Sequence, residues 1–206
     1  MTYLIIGITV VVSILAFNRQ DLQDKLKFNA YLVLSRKEWY RFLSYGLVHA
    51  DYMHLLINMF VLFSFGEIVE TFFSHYFGPR APVYYLLLYI GGLAFSTLYD
   101  FGAHKKDPWY NAVGASGAVS AVVFSSIMLY PSGKIFLFFI PLGIPSPIFG
   151  LLYLAYSFYM AKKARDNIGH SAHFFGAVFG VAFTVLLNTD ILIQFIHDVF
   201  GGIGIR

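Results

Sequence analysis

Along the chain, long apolar runs alternate with short polar breaks, and the runs have the length of helices rather than strands. Six of them, roughly residues 2–17, 52–73, 82–101, 114–130, 146–161 and 171–189, reach or approach the ~17–25 residues that a helix needs to cross the hydrocarbon core. The pattern predicts six membrane-crossing helices. The breaks carry turn chemistry: Gly78-Pro79 stops the second run, and Pro131, Pro141, Pro145 and Pro147 bracket an apolar stretch, Ile135 to Ile140, that reads as extended chain. The longest break, Asn18 to Asp51, mixes Tyr, Trp and Leu with Arg36-Lys37-Glu38. It is too amphipathic for a disordered linker and too charged to span, so it reads as short helices lying in the membrane interface. The tail after Asn188, with Asp190, His197 and Asp198, reads as another interfacial helix. No internal repeat is visible. The first run has no Lys or Arg before it and Asn18-Arg19 after it, which reads as a retained helix rather than a removable leader.

Composition narrows the class. Of 206 residues 58% are apolar and 12% charged, so nothing is left for a separate soluble domain. The expectation is an all-α membrane protein, one domain over residues 1–206, built as a six-transmembrane-helix bundle with an interfacial first loop. The absence of cysteine excludes thiol nucleophiles, Cys-ligated zinc and disulfides. A net charge of +3 with no Gly-rich phosphate loop or dinucleotide fingerprint gives no nucleic-acid partner.

In a six-helix bundle the second, fourth and sixth helices enter the membrane from the same side. Their first turns hold His54 and Asn58, Ser116, and His173. Taken singly, each has a bland explanation: Gly114-Ala115-Ser116-Gly117 can be helix packing, and a lone His or Asn can be an interhelical hydrogen bond. Together they place four costly polar groups at one depth, which points to a site facing the bundle interior or a water-filled cavity. His54 and Asn58, four residues apart, share a helix face about 6 Å apart along the axis. Small residues on the fourth helix (Gly114, Ala115, Gly117, Ala118, Ala121) and the Gly176-to-Gly180 motif on the sixth allow close backbone approach. Close approach would bring His173 to Ser116.

That chemistry is acyl transfer. A serine hydroxyl becomes a nucleophile when a positioned imidazole takes its proton, and the oxyanion that forms needs preorganised donors. The Asn58 amide, the His54 ring N–H and the backbone N–H groups at the start of the fourth helix qualify. No carboxylate lies near His173 on its own helix, so Tyr, backbone or water would hold the ring instead of the third member of a triad.

Three motifs, His49-Ala50-Asp51-Tyr52-Met53-His54-Leu55-Leu56-Ile57-Asn58, Gly114-Ala115-Ser116-Gly117 and Ala172-His173-Phe174-Phe175-Gly176, resemble those of the rhomboid family of intramembrane serine proteases, in family order, from about Glu38 to Gly180. The resemblance implies a rhomboid-like bundle in which Ser116 is the nucleophile, His173 the general base, and His54, Asn58 and Ser116 the oxyanion hole. It makes His49, Arg41, Glu70, Gly114, Gly117 and Gly176 structural supports, with Glu70 anchoring loops at the far end of its helix. Tyr40 stands where the family places Trp, with Trp39 one residue earlier. His170 is a weaker alternative to His173 as base. No metal or cofactor is implied. The partners would be membrane lipid and transmembrane protein substrates cleaved near the membrane surface, entering laterally past Phe60, Phe63, Phe149, Tyr153 and Tyr156.

The resemblance also places the protein in a bacterial inner membrane with its active site outside. The distribution of charge opposes that orientation. Arg19, Lys25, Lys27, Arg36, Lys37, Arg41, Lys105, Lys106, Lys162, Lys163 and Arg165 fall on the site side, against Arg80, Lys134 and Arg206 opposite, which by the positive-inside rule would put the site in the cytoplasm. Seven acidic residues accompany the first group, and the family orientation is preferred. Two other classes fit part of the pattern: an inactive relative that binds transmembrane helices, and a haem protein using His49, His54, His170 and His173 as axial ligands.

Overall fold

The computed structural model describes residues 1–137, 142–163 and 169–201. Arg165 and Arg206 of the charge count, and the end of the Ile135 to Ile140 stretch with Pro141, lie outside the described residues. The structure is mostly helical. Helix α1 spans Thr2–Phe17; three short helices follow, α2 (Gln20–Leu26), α3 (Ala30–Arg36) and α4 (Arg41–Ser44); then come α5 (Tyr52–Phe77), α6 (Ala81–Ser96), α7 (Leu98–His104), α8 (Ser116–Leu129), α9 (Ser146–Lys163), α10 (His170–Leu187) and α11 (Asp190–Phe200). Between α8 and α9, strands β1 (Lys134–Ile135) and β2 (Ile144–Pro145) pair antiparallel.

Local chemistry sets the helix ends. Asp51 caps α5 by accepting the His54 N–H at 2.7 Å. The same helix stops at Gly78, whose φ of +53° an L side chain rarely adopts, with Pro79 behind it. The apolar run over 82–101 is not one straight helix: α6 ends at Ser96, and the Thr97 hydroxyl bonds back to Ala94 O at 3.2 Å before α7 begins.

Helix α8 is the centre of the bundle. From Gly117 to Leu129 every residue is buried, and α5, α6 and α10 pack around it. Its apolarity therefore answers to protein on all sides rather than to lipid. By length and composition, two helical runs are long and apolar enough to cross a membrane, Tyr52–His104 and His170–Leu187; Thr2–Phe17 and Ser116–Leu129 are apolar but shorter. Helix α9 is loosely seated: only Ser146, Gly150 and Ser157 are buried, and among the described residues it leans on α10 and α8 with no substantial packing on α5.

Helix α11 has three faces. Ile191 and Phe195 turn into the core, Leu192, Ile193, Ile196 and Phe200 form an exposed apolar stripe, and Asp190, Gln194, His197 and Asp198 form the polar one. Tyr76 of α5 donates to Gln194 Oε1 at 3.0 Å and ties this helix to the bundle.

Candidate active site

Ser116 is the first residue of α8, and the first backbone bond of that helix runs from Val119 N to Ala115 O at 2.9 Å. The N–H groups of Ser116, Gly117 and Ala118 therefore have no intrahelical acceptor and point out of the positive end of the helix. The entry turn needs Gly114, whose φ is +108°. A Cβ there would also fall 2.5 Å from His54 Cε1 and 2.8 Å from Nε2, so the His54 ring lies directly against the turn.

The first loop holds this turn in place. Phe28 and Ala112 exchange backbone bonds at 2.9 and 3.1 Å, and Gly114 N donates to Tyr45 O at 3.0 Å. Asn29 sends its amide to Pro108 O, Tyr110 O and Asn111 Oδ1. Arg41 is the buried anchor of the loop, 4% exposed: its Nε meets Glu38 at 2.5 Å and its Nη1 donates to Asp24 O and Lys27 O at 3.0 and 2.6 Å. Those bonds compensate the burial of a guanidinium that would otherwise be costly. Tyr40 remains exposed, under the Arg41 guanidinium at 5.5 Å from its ring centroid.

Helix α10 crosses α8 with their backbones in contact. A Cβ on Gly176 would lie 2.1 Å from Gly117 O, and one on Gly180 2.2 Å from Ala121 O. On its other side Gly117 is closed by Ser96, whose Oγ would sit 2.3 Å from a Cβ. Ser116 and His173 flank this crossing on their two helices. Among the described residues no hydrogen bond links the Ser116 hydroxyl to His173, and both side chains are half-buried. The His173 ring stacks on Tyr153 of α9 at 6.2 Å and 24°, and the Tyr153 hydroxyl bonds Ser120 Oγ of α8 at 2.8 Å. Among the described residues a tyrosine ring, and no carboxylate, lies against the imidazole. His170 meets His173 edge-on at 6.1 Å and Tyr156 at 5.5 Å.

Asn58 is 5% exposed and gives one amide hydrogen to His54 O at 2.8 Å, leaving its second for another acceptor. His54 Nδ1 accepts the Ala50 N–H at 3.5 Å, which makes Nε2 the protonated nitrogen, and Nε2 is the one beside Gly114. His49, fully buried, has both ring nitrogens engaged, by Ala115 N and Ser13 Oγ. That occupancy removes His49 as an axial ligand, and among the described residues no group of three or more His, Asp or Glu is placed to hold a metal ion.

Three features differ from the sequence reading. Glu70 does not hold loops: it accepts from the Thr2 N–H and from Thr2 Oγ1 (2.9 Å), and Thr2 in turn bonds Tyr85 of α6 at 2.7 Å, so it secures the start of α1. Phe63 meets Tyr3 of α1 at 5.9 Å, which turns it toward α1 rather than α9. Asp100, passed over in the sequence, is 3% exposed and accepts from Ser171 Oγ at 2.8 Å, which pins the first turn of α10 two residues before His173. An ionisable residue inside an apolar run was the available signal.

Comparison with known proteins agrees with this arrangement. The chain matches the Rhomboid domain family over residues 36–189. It is also 32% identical over 142 residues to the mitochondrial RHOMBOID-like protein 12 of Arabidopsis thaliana, an alignment covering 63% of this chain and 40% of that relative's length. A family match spanning most of the chain, including the segments that carry His49, His54, Asn58, Ser116 and His173, makes this protein a member of the rhomboid family, embedded in a lipid membrane.

Proposed function

We propose that this chain is an intramembrane serine endopeptidase that cleaves transmembrane protein substrates near the membrane surface through a Ser116–His173 dyad. The observation that carries the proposal is the junction of the three site segments: Ser116 opens α8 beside its closest contact with α10, and the His54 ring lies against the turn before it.

His173 takes the Ser116 proton as Oγ attacks the scissile carbonyl, then returns it to the leaving amine; water, activated by the same imidazole, hydrolyses the acyl-enzyme. The oxyanion would be met by the Ser116 backbone N–H, the His54 Nε2–H and the second amide hydrogen of Asn58. Six helices, α1, α5, α6, α8, α9 and α10, are proposed to cross the membrane, with α1, α8 and their loops making a thinner structure than a set of full-length spans. Fourteen residues of α8 rise about 21 Å against a core of ~30 Å. The serine then lies several ångströms below the surface, under irregular backbone that is tolerated at depth because protein buries it. The weak packing of α9 on α5 supports lateral substrate entry there, and the three-faced α11 fits the opposite membrane interface.

The site face is proposed to lie outside, away from the cytoplasmic side. A bacterial inner membrane has no support from the Arabidopsis relative, which is mitochondrial.

The test is cleavage of a panel of single-span substrates in liposomes, with product masses. Wild type should give two fragments cut near one membrane surface, and Ser116→Ala and His173→Ala should give none while keeping their fold. Cleavage by Ser116→Ala would reject the dyad; no cleavage of any substrate by wild type would favour the inactive, helix-binding alternative.

A further inference from the structure

The inward face of α1 is Thr2, Ile5, Thr9, Ser13 and Ala16, buried at helical spacing. Ser13, fully buried, lies 3.0 Å from His49 Nδ1 and donates to Leu47 O at 2.8 Å. On the other side of the ring, Nε2 accepts the Ala115 N–H at 3.3 Å. Ala115 is the residue before Ser116 and caps α8.

Both ends of this chain of bonds have fixed roles, because a backbone N–H can only donate and a carbonyl oxygen can only accept. Ala115 N–H therefore points to a bare Nε2, His49 carries its proton on Nδ1 and gives it to Ser13 Oγ, and the Ser13 hydrogen goes to Leu47 O. The backbone at His49 is held too, with Gln23 Nε2 donating to His49 O at 2.9 Å. His49 and His54 thus carry their protons on opposite nitrogens, and their rings meet edge-on at 5.0 Å. Burial, followed by the nearby His54 ring, pushes the His49 imidazole down to about 3, in keeping with a neutral relay.

We propose that Ser13, in the first helix, is a positioning residue for Ser116: it selects the His49 tautomer whose free Nε2 holds the Ala115 N–H and so fixes the turn that aims the nucleophile. The role rests on the endopeptidase reading above. Without the Ser13 hydroxyl, the buried Nδ1–H has no acceptor; moving the proton to Nε2 sets donor against donor at Ala115, at the penalty of a buried unpaired polar group. Thr9, on the same face of α1 one turn earlier, is the control for mere docking of the helix, since it bonds neither His49 nor the loop before Ser116.

The experiment uses the full chain in liposomes. With histidine side chains labelled by nitrogen-15, the His49 signals, assigned by their loss in His49→Asn, should show a protonated Nδ1 and a bare Nε2 in wild type and in Ser13→Thr, and lose that pattern in Ser13→Ala. For a single-span substrate, Ser13→Ala should lower kcat by about tenfold to a hundredfold with KM unchanged, while Thr9→Ala keeps the wild-type kcat. An unchanged His49 tautomer and unchanged kcat in Ser13→Ala would overturn the proposal, as would equal losses in Ser13→Ala and Thr9→Ala. If wild type cleaves nothing yet the tautomer shifts as described, the endopeptidase reading fails and the Ser13–His49–Ala115 relay stands.

Discussion

Replacing Gly176 by alanine puts a methyl group where the backbone of α8 already is. The added carbon would lie 2.1 Å from Gly117 O, 2.8 Å from Gly117 C and 3.0 Å from its Cα. Ordinary contact begins at 3.4 Å, and no side-chain rotation can move backbone atoms aside. The two helices must separate by about 1.3 Å, an overpacking strain of roughly 1–3 kcal/mol. For a chain of this size that lowers the melting temperature by about 2–12 °C. The same displacement separates Ser116 from His173, and misplacement of reacting groups by ~1 Å costs on the order of a hundredfold in rate. The assay is the rate of fluorophosphonate labelling and of substrate cleavage, normalised to folded protein at a temperature below both transitions. Gly7→Ala is the control, because nothing lies within 4 Å of a Cβ there, and it should match wild type. Full labelling and cleavage rates in folded Gly176→Ala would refute the claim that this crossing sets the catalytic geometry.

Gly114→Ala meets both a φ of +108° and the His54 ring. It should cost about a hundredfold in kcat, the scale of a displaced oxyanion donor, with a smaller effect on KM, measured on the same substrate panel. Protein stability should fall as pH falls, in part because of His49. Its folded value near 3 lies below the ~6.5 of a free imidazole, so the unfolded chain takes up the proton first. The His49 contribution is full above pH 6.5 and falls toward pH 3, by at most about 1.4 kcal/mol per unit. The groups whose charge reaches the ring are His54, which lowers its value, and Asp51, which raises it. Thermal unfolding of wild type and His49→Gln in detergent from pH 7 to pH 4 should show a shallower slope in the variant; equal slopes would contradict the assignment. For orientation, Lys105→Cys, at an exposed position of an otherwise cysteine-free chain, should react with an impermeant thiol reagent in intact cells, and labelling only after lysis would reverse the proposed topology.

Helix ends were legible where a short-range signal sets them. Gly78-Pro79 as stop and the prolines around Ser146 act within a few residues of themselves. The expectation that His54, Asn58, Ser116 and His173 gather at one end of the bundle came from counting crossings, and it rests on the proposed six of them; the contact of the His54 ring with the turn before Ser116 is what the structure adds. What the sequence could not carry were pairings between distant segments. Ser13 in an apolar helix looks like packing until His49, 36 residues away, is found against it. Asp100 gives no sign within its own segment that Ser171, 71 residues away, is its donor. Tyr153 and Phe63 look alike in the sequence as lining for a passage, yet Tyr153 stacks on His173 and Phe63 meets Tyr3 of α1. Both are aromatic residues in apolar helices, and only the rotation of each helix about its axis separates them. Glu70 stands out only through the family resemblance, and its partner, Thr2, is 68 residues away and left no mark in the local sequence.

The central claim is that Ser116 is a nucleophile activated by His173. The most direct measurement is reaction of the membrane-reconstituted protein with a fluorophosphonate probe, followed by mass mapping of the adduct. The account predicts a single adduct on Ser116, absent in Ser116→Ala and strongly reduced in His173→Ala but not in His170→Ala. An adduct on another residue, no adduct on folded wild-type protein, or labelling that depends on His170 rather than His173 would contradict it.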